Sequence, residues 1–493
     1  MKQRAIAFIT LVCLATVAQA QTVSIDSGRL RGAVQNGVAV FKGIPYALPP
    51  VGQWRWRPPQ PLPHWGGVRD ALEVGPRCMQ KDSIASEDCL TLNIYTPAGT
   101  HAAPQLPVMF WVHGGGFSEG AGSEDLYDGT ALAQQGVVVV TINYRLGRFG
   151  FFAHPALERE HPDEPQGNYA LMDQIFALRW MQRNIAAFGG DPRNVTIFGE
   201  SAGGGAVNLL MGAPDARGLF ARAIVESGGG RGEPLGVSQT PAGLAAAQLR
   251  GVEFAQSLGL TDASAAALRA VPAQAILEAQ DKPNGRGGPI VDGRIIVESV
   301  SDAFAKGHEA PVPMIVGSNS LELPADKPGT GFGRRMQFSE AARDAAIRVY
   351  GSVEAFELNA VSDIMFNEPA RYLARLHARN GAPTYLYRFS VVSDAAQSEF
   401  SGAPHASERQ YIFQTLSTLS WKTNERDTRL SRIMSSYWVS FARNGDPNGD
   451  GRALWPQYSA DKGLLLDFSN TGPVATPIPF PERLDFISTR YPP

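Results

Sequence analysis

The chain has 493 residues, of which 44% are hydrophobic and 18% are charged, and its formal net charge is −3. A chain of this length and composition can bury a large core and shows no bias toward disorder. The near-neutral charge balance excludes a global attraction to nucleic acid or to an anionic membrane, and no basic run with interleaved aromatic residues is present. We therefore expect a soluble globular protein without a nucleic-acid partner.

Residues 1–20 have the layout of a secretory signal peptide: a positively charged start, apolar residues 5–17 and the small-x-small cleavage signal Ala18-Gln19-Ala20. The alternative, a membrane anchor, requires a longer apolar run, because the core of a bilayer is about 30 Å thick. Lipid attachment at Cys13 is a minor alternative, since the residue before it fits such a signal poorly. We expect a secreted or periplasmic mature chain, residues 21–493, with no stable membrane anchor.

The mature chain keeps two cysteines, Cys78 and Cys89. Disulfides persist in an oxidising compartment, so we expect the two to be paired, with two free thiols as the alternative. Closing so short a loop restricts the unfolded chain by roughly 3 kcal/mol in the chain-entropy model. We expect no metal site here, because two cysteines without a histidine cluster supply too few ligands.

The predicted elements begin with a small antiparallel meander over residues 22–43, where apolar and polar residues alternate around turn signals at 26–28 and 36–37. A proline-rich surface segment follows. Its tryptophans are more typical of packing anchors than of a carbohydrate platform. They are Trp54, Trp56 and Trp65.

Uniformly apolar runs predict the central strands of a mostly parallel sheet, because such strands have no wet face. These runs are Leu106–Val112, Val137–Ile142, Val195–Phe198 and Ala221–Val225, followed by strands at Pro311–Gly317, Thr384–Phe389 and Leu464–Phe468. Helices are predicted at Asn168–Ile185, within Thr240–Ala279, within Phe338–Ala378 and up to Arg443. Alternating strands and helices indicate an α/β fold with helical excursions over the sheet. No linker or composition shift divides the mature chain, so we expect one domain.

Two further motifs carry weaker signals. Residues 446–451 imitate the start of an EF-hand loop, but Gln457 stands where a bidentate glutamate is required, so we predict a turn. Asn194-Val195-Thr196 is a glycosylation sequon that runs into a predicted central strand. We do not expect it to be modified, even in a host that glycosylates its proteins.

The stretch Gly199-Glu200-Ser201-Ala202-Gly203 follows a β-branched run and precedes more small residues. This is the pattern of a nucleophile elbow, in which glycines allow a sharp turn from strand to helix and expose the serine hydroxyl. An isolated G-x-S-x-G motif is a weak signal. The preceding strand and the following helix strengthen it here, and we predict that Ser201 is a nucleophile.

A glycine-rich loop, His113-Gly114-Gly115-Gly116-Phe117, follows the strand predicted at Leu106–Val112. Backbone without side chains lets successive N–H groups converge on one oxygen. A phosphate-binding loop is the alternative, but no lysine follows as it does in a P-loop.

A serine nucleophile needs a base, a group that orients the base, and donors for the developing oxyanion. Glu322 follows the strand predicted at Pro311–Gly317, and His405 follows the strand at Thr384–Phe389 and its connection. The chain order serine, acid, histidine is that of α/β-hydrolases. We predict His405 as the base and Glu322 as the orienting acid. No metal or organic cofactor is implied, because each role already has a protein group.

These motifs resemble those of the type-B carboxylesterases, an α/β-hydrolase family that includes bacterial p-nitrobenzyl esterases. The resemblance covers nearly the whole mature chain and is carried by Phe41–Ala47, Ser86–Ile94, the glycine loop, Asn143-Tyr144-Arg145, Phe188–Pro192 and the elbow. It implies an oxyanion hole formed by the N–H groups of Gly115, Gly116 and Ala202. It also implies support of the triad by Glu200, Ser227 and Glu408, and a disulfide between Cys78 and Cys89.

The sequence departs from the family pattern at two places. Leu321-Glu322-Leu323 stands where Asp-Glu-Gly is usual, and Ala406 replaces a glycine after the histidine. Neither change removes a reacting group, but both make Glu322 the triad member whose position is least secure. The loop between the cysteines is short and lacks an aromatic residue, which argues against choline esters and against interfacial activation. A short loop also suggests an open site.

The sequence therefore predicts a serine hydrolase that cleaves a small-molecule carboxylic ester through an acyl-enzyme. The same machinery serves carbamates, amides and lactones, which the sequence does not separate from esters. A non-catalytic adhesion homologue is the non-enzymatic alternative, and the intact triad argues against it. The oligomeric state and the identity of the ester are not set by the sequence.

Overall fold

The computed structural model describes residues 19–99, 105–231, 243–281, 285–323, 340–449 and 451–491. Residues 1–18 of the predicted signal peptide, with Cys13, lie outside these ranges. The first strand begins at Gln19, so its first two residues precede the predicted cleavage site after Ala20.

A thirteen-stranded sheet runs through the described chain in the order β1-β2-β3-β7-β9-β8-β10-β11-β12-β13-β14-β15, with β4 paired to β2. Its strands are β1 Gln19–Ile25, β2 Gly28–Gln35, β3 Val38–Pro45, β4 Val68–Asp70, β7 Thr91–Pro97, β8 Leu106–Val112, β9 Val138–Ile142, β10 Gly190–Glu200, β11 Arg222–Glu226, β12 Met314–Asn319, β13 Thr384–Phe389, β14 Leu464–Ser469 and β15 Gly472–Pro477. The two short strands β5 Arg77–Cys78 and β6 Ala85–Ser86 pair with each other.

The middle of the sheet, from β9 through β14, is parallel, and both ends are antiparallel. The predicted meander is confirmed as β1-β2-β3, and it continues into the main sheet because β3 pairs with β7. The prediction of a mostly parallel sheet is therefore confirmed.

The helices lie between the strands, as expected for an α/β fold. They are α1 Thr130–Ala133, α2 Gly147–Gly150, α3 Pro155–Glu160, α4 Tyr169–Asn184, α5 Ala202–Gly212, α6 Gly243–Ser257, α7 Ala265–Arg269, α8 Ala273–Gln280, α9 Val300–Lys306, α10 Glu340–Tyr350, α11 Val353–Ser362, α12 Glu368–Arg379, α13 Arg409–Phe413, α14 Glu425–Asn444 and α15 Pro481–Ser488. A π-helical turn, Asp363–Asn367, joins α11 to α12.

The predicted strands are present, with boundaries that follow from backbone chemistry. β12 begins at Met314 rather than at Pro311, since prolines lack the N–H that a ladder requires. No strand was predicted at β15, where prolines near both ends weaken the strand pattern. The described part of Thr240–Ala279 contains three helices, α6 to α8, as its alanine-rich pattern predicted.

The two faces of the sheet are covered by separate apolar clusters. Along β8, Val108, Phe110 and Val112 join one cluster, while Met109 and Trp111 join the other. Alternating faces are the rule in a strand, and here both faces are dry, which explains the uninterrupted apolar run. The packed sheet gives the carboxyl ends of its parallel strands a fixed position.

The structure also bears on several smaller predictions. Cys78 and Cys89 form a disulfide. Trp56 is a packing anchor: it is 2% exposed and its indole N–H donates to the Arg148 carbonyl at 2.8 Å. The Asn448 N–H donates to Asp446 Oδ1, which closes a turn where the sequence imitated an EF-hand. Asn194 lies inside β10. Within the described ranges, no helix is both long enough and apolar enough to cross a membrane.

Candidate active site

Ser201 lies between β10 and α5 in a strained backbone conformation, with φ of 56° and ψ of −122°. The turn is possible because glycines flank it. A Cβ atom on Gly203 would lie 2.1 Å from the Val112 carbonyl oxygen, and one on Gly199 would lie 2.6 Å from the same atom. Strand β8 therefore packs directly against the turn, and the glycines of the elbow are a steric requirement.

The three predicted triad residues lie together, with His405 between Ser201 and Glu322. His405 Nε2 lies 2.9 Å from Ser201 Oγ, and its Nδ1 lies 2.6 Å from Glu322 Oε2. Glu322 is 1% exposed, whereas the His405 side chain is 21% exposed and faces the cleft. The arrangement joins a buried carboxylate to a partly exposed hydroxyl through one imidazole.

Besides its contact with His405 Nδ1, Glu322 is held by three further hydrogen bonds, although the residues around it depart from the family pattern. Its Oε1 accepts from the Ser227 hydroxyl at 2.6 Å and from the Asn319 N–H at 2.7 Å, and its carbonyl accepts from the His405 N–H at 2.9 Å. Ala406 has a φ of 66°, a left-handed conformation that favours glycine. Ala406 therefore adopts a left-handed backbone conformation that a glycine would adopt with less strain.

Asn319 connects the loop that carries Glu322 to the loop that carries His405. No role was predicted for Asn319 from the sequence. Its side-chain N–H group donates to the Pro404 carbonyl at 2.8 Å and to Glu408 Oε2 at 2.6 Å. It is fully buried at the end of β12. A polar residue ending an apolar strand was the only available signal, and its partners lie more than eighty residues away in the chain.

The glycine loop lies against the elbow on the opposite side. A Cβ atom on Gly114 would lie 3.2 Å from Ser201 Cβ, and Gly115 and Gly116 have positive φ angles of 107° and 61°. Within the described chain, the N–H groups of Gly115 and Gly116 donate to no backbone carbonyl. Ala202 is the first residue of α5, where an N–H has no partner within its own helix. These donors are available to a ligand.

His113, the first residue of the glycine loop, is held in place by Tyr144. Its ring stacks on Tyr144 with centroids 4.3 Å apart, and the Tyr144 hydroxyl donates to the His113 carbonyl at 2.7 Å. Burial lowers the pKa of His113 to about 4, so the ring is neutral at ordinary pH. We assign it a structural position rather than a part in proton transfer.

The carboxylates around His405 decide its charge. Burial opposes protonation, but Glu200 and Glu322 outweigh it and raise the pKa of His405 to about 9. Glu200 Oε1 lies 3.2 Å from His405 Nε2, on the side that faces Ser201. Burial also raises the pKa of Glu200 itself, while the charges of His405 and Arg409 oppose that shift.

Two further acids, Glu408 and Glu226, are buried near Glu200, Glu322 and His405. Burial, with the charges of Glu200 and Glu322, raises the pKa of Glu408 to about 8, so Glu408 is largely neutral at pH 7. Burial likewise raises the pKa of Glu226, which accepts a 2.7 Å hydrogen bond from the Trp438 indole. Glu226 also fixes the elbow, because its carbonyl accepts from the Ser201 N–H at 2.9 Å.

Ser201 and His405 open into a cleft of about 1520 Å³. Ligand pockets are commonly about 300–1,000 Å³, so this cleft has room for a substrate larger than a simple acetate. Arg77 and Gln80, which come from β5 and the disulfide loop, are among its lining residues. No group of three or more histidine, cysteine or acidic side chains among the described residues is arranged to hold a metal ion.

Comparison with known proteins identifies the family. A sequence model of the carboxylesterase family matches residues 19–326 and 337–486. The chain is 37% identical over 482 residues to a fumonisin B1 esterase from Sphingopyxis macrogoltabida, with 90% of this chain and 86% of that protein covered. It is 34% identical over 487 residues to a para-nitrobenzyl esterase from Bacillus subtilis, covering 91% of this chain and 95% of that protein.

Solved structures agree with the sequence relatives. A carboxylesterase from Geobacillus stearothermophilus superimposes with a TM-score of 0.81 at 34% identity, covering 94% of this chain and 99% of that one. A p-nitrobenzyl esterase gives a TM-score of 0.80 at 32% identity, with 95% and 99% coverage. The predicted α/β-hydrolase fold and the resemblance to type-B carboxylesterases are confirmed. The chain belongs to the carboxylesterase family and is an enzyme, a serine hydrolase that acts on small-molecule carboxylic esters.

Proposed function

We propose that Ser201, His405 and Glu322 are the catalytic triad and that the ester is cleaved through an acyl-enzyme. The observation that carries this proposal is the position of His405, which lies within hydrogen-bond distance of both Ser201 Oγ and Glu322 Oε2. A base placed in this way takes a proton from the serine while the carboxylate holds the ring in the required tautomer.

In the acylation half, Ser201 Oγ attacks the ester carbonyl carbon as its proton passes to His405 Nε2. The carbonyl oxygen becomes an oxyanion, which the N–H groups of Gly115, Gly116 and Ala202 stabilise by hydrogen bonds. The tetrahedral intermediate collapses, the bond to the alcohol oxygen breaks, and His405 gives its proton to the departing alcohol. The acyl group remains on Ser201.

In the deacylation half, a water molecule takes the place of the alcohol. His405 removes a proton from the water as its oxygen attacks the acyl carbon, and the same three N–H groups stabilise the second oxyanion. The bond to Ser201 Oγ breaks, and His405 returns the proton to the serine. Glu322 stays ionised throughout and stabilises the imidazolium that forms in each half.

Glu200, Ser227 and Glu408 take supporting parts in this proposal. Ser227 donates to Glu322 and so fixes the carboxylate, and Glu408 acts at a distance through Asn319. Glu200 lies next to His405 Nε2, where its charge favours the imidazolium that exists after proton transfer.

We also propose that residues 1–20 are removed on export and that residues 21–493 form a single-domain mature enzyme, secreted or periplasmic. The N-terminal pattern and the disulfide support this, since such bonds persist in oxidising compartments. Cleavage after Ala20 would leave a β1 strand of five residues. N-terminal sequencing of the exported protein tests the site, and an N-terminus at Met1 would contradict it.

The catalytic proposal is tested with 4-nitrophenyl acetate and a fluorophosphonate probe. Ser201→Ala is expected to abolish ester hydrolysis and labelling together. Ser398→Ala is the control, because Ser398 is an exposed serine that does not line the cleft, and it should keep both. Labelling that survives Ser201→Ala would overturn the assignment of the nucleophile.

A further inference from the structure

The loop between Cys78 and Cys89 contacts the segment after the glycine loop through the side chain of Gln80, which is 5% exposed. Gln80 Oε1 accepts a hydrogen bond from the Gly120 N–H at 2.9 Å, and Gln80 Nε2 donates to the Gly120 carbonyl at 2.9 Å. The same Nε2 donates to the Cys78 carbonyl at 3.0 Å. The carboxamide therefore pairs with both backbone polar groups of Gly120 while the disulfide-bonded Cys78 holds its amide end.

Gly120 packs against the peptide unit that carries the first donor of the proposed oxyanion hole. A Cβ atom on Gly120 would lie 2.6 Å from the Gly114 carbonyl oxygen. That carbonyl belongs to the same planar peptide unit as the Gly115 N–H. The C=O and N–H bonds of a trans peptide point in opposite directions, so the position of the Gly114 oxygen sets the direction of the Gly115 N–H.

The peptide bond between Glu119 and Gly120 makes a second contact with the glycine loop. Its N–H is the group that Gln80 Oε1 holds, and its carbonyl oxygen would lie 2.1 Å from a Cβ atom on Gly115. The Glu119 N–H also donates to the Gly115 carbonyl at 3.1 Å. Because this carbonyl shares a peptide unit with the Gly116 N–H, the same segment fixes the direction of the second donor.

A second amide anchors the segment independently of Gln80. Asn143 is 3% exposed; its Oδ1 accepts from the Gly122 N–H at 2.9 Å and its Nδ2 donates to the Pro76 carbonyl at 2.9 Å. The segment is therefore also held two residues beyond Gly120. We expect the loss of the Gln80 amide to tilt the peptide units of the glycine loop without unfolding the loop.

We propose that Gln80 is a positioning residue for the oxyanion hole: its carboxamide holds Gly120, and Gly120 in turn fixes the direction of the N–H donors in the glycine loop. Donors that already point at the developing oxyanion need no reorganisation in the transition state, so their direction affects the rate. Gln80 acts through the backbone and takes no part in bond making. The inference rests on the proposed oxyanion hole and on Ser201 as the nucleophile.

The test uses Gln80→Met, which keeps the length of the side chain and removes its amide. We expect kcat for 4-nitrophenyl acetate to fall roughly ten- to a hundredfold with KM changed by less than about threefold, because removing a whole oxyanion-hole donor costs about 10²–10³ in kcat and misdirecting one costs less. Rates are expressed per active site, counted by end-point labelling with a fluorophosphonate. A smaller folded fraction therefore does not lower the measured kcat.

A trifluoromethyl ketone separates oxyanion stabilisation from substrate binding. Ser201 Oγ adds to the ketone carbon, the serine proton passes to His405, and the carbonyl oxygen becomes an oxyanion in the oxyanion hole. For Gln80→Met we expect the inhibition constant of this ketone to rise by the factor by which kcat/KM falls. The corresponding methyl ketone, which undergoes the addition far less readily, should bind equally to the variant and the wild type.

Gln182→Met is the matched control. Gln182 on α4 also donates through its Nε2 to two backbone carbonyls, those of Pro192 at 2.7 Å and Leu219 at 2.9 Å, but it does not line the cleft. Pro192 lies near the start of β10, whereas the nucleophile follows the end of that strand. This variant should keep the wild-type kcat and ketone affinity. If Gln80→Met is not recovered folded, Gln80→Asn makes the same test, since its amide is one methylene short of Gly120.

The inference is overturned if Gln80→Met keeps the wild-type kcat, if its kcat falls while the inhibition constant of the trifluoromethyl ketone is unchanged, or if Gln182→Met loses kcat equally. In each case the catalytic proposal stands, provided that Ser201→Ala abolishes hydrolysis. If Ser201→Ala retains activity, or if the wild-type enzyme binds the two ketones equally, the catalytic proposal itself fails. The two failures are therefore distinguishable in one set of assays.

Discussion

The two halves of the active site are held in place by different means. The half that carries Ser201 is fixed by backbone packing, with glycines of the elbow and the glycine loop within contact distance of β8 and of each other. The half that carries Glu322 and His405 is fixed by side-chain hydrogen bonds from Ser227 and Asn319. Changes in the first half should therefore disturb folding, whereas changes in the second should disturb catalysis first.

The largest effect is expected at the acid. Glu322→Gln should lower kcat/KM for 4-nitrophenyl acetate by roughly 10⁴-fold, because an amide stabilises the wrong tautomer of the histidine. Glu408→Gln is the matched control. Glu408 Oε2 accepts the Asn319 side-chain N–H at 2.6 Å, and the side-chain oxygen of a glutamine can accept it in the same way, so we expect little loss. Equal losses in the two variants would show that Glu322 has no special part.

The next effect is on stability, in the backbone-packed half. Gly203→Ala should lower the free energy of unfolding by about 3 kcal/mol, because the new Cβ meets the Val112 carbonyl and the backbone has to move. Gly205→Ala, two residues along α5, meets its nearest atom at 3.3 Å and should change stability by less than about 1 kcal/mol. Denaturant titration measures both. Similar stabilities of the two variants would refute the steric account of the elbow.

A moderate effect is expected where side chains join the two loops. Asn319→Ala removes the hydrogen bonds to Pro404 and Glu408 but keeps the backbone N–H that donates to Glu322. We expect kcat to fall roughly ten- to a hundredfold with little change in KM, since His405 is then less well placed. Steady-state kinetics on the folded variant test this. An unchanged kcat would mean that the histidine loop does not depend on Asn319.

The smallest effect is a shift in pH dependence. His405 acts as a base only when neutral, and its pKa is raised to about 9, so kcat/KM should rise with pH until that pKa is passed. Glu200→Gln removes one of the carboxylates that favour the imidazolium. The pKa of His405 should fall, and the acidic limb of the profile should move to lower pH by about one unit. If the acidic limb of the profile stays at the same pH or moves to higher pH, the Glu200 charge does not raise the pKa of His405.

The backbone-packed half could be predicted from the sequence because its signals are local. The glycines of the elbow and of the glycine loop are adjacent to the residues they serve, and the apolar runs of β8 and β10 precede them directly. Order along the chain was enough to nominate Glu322 and His405. The family resemblance named their supporting residues.

The hydrogen-bonded half could be predicted only in part, because its contacts join distant segments. Asn319 and Glu408 are 89 residues apart, and no local pattern marks them as partners. The left-handed backbone conformation of Ala406 could not be predicted either, because contacts with distant parts of the chain impose it and an alanine does not by itself favour it.

The most direct test of the account is to trap the acyl-enzyme and locate it. The mature protein is mixed with excess 4-nitrophenyl acetate, quenched in acid during turnover, digested and analysed by mass spectrometry. The account predicts one acetyl group on the peptide that contains Ser201, attached to that serine and absent from Ser201→Ala. Acetylation at another residue that forms and decays at the rate of turnover would contradict it.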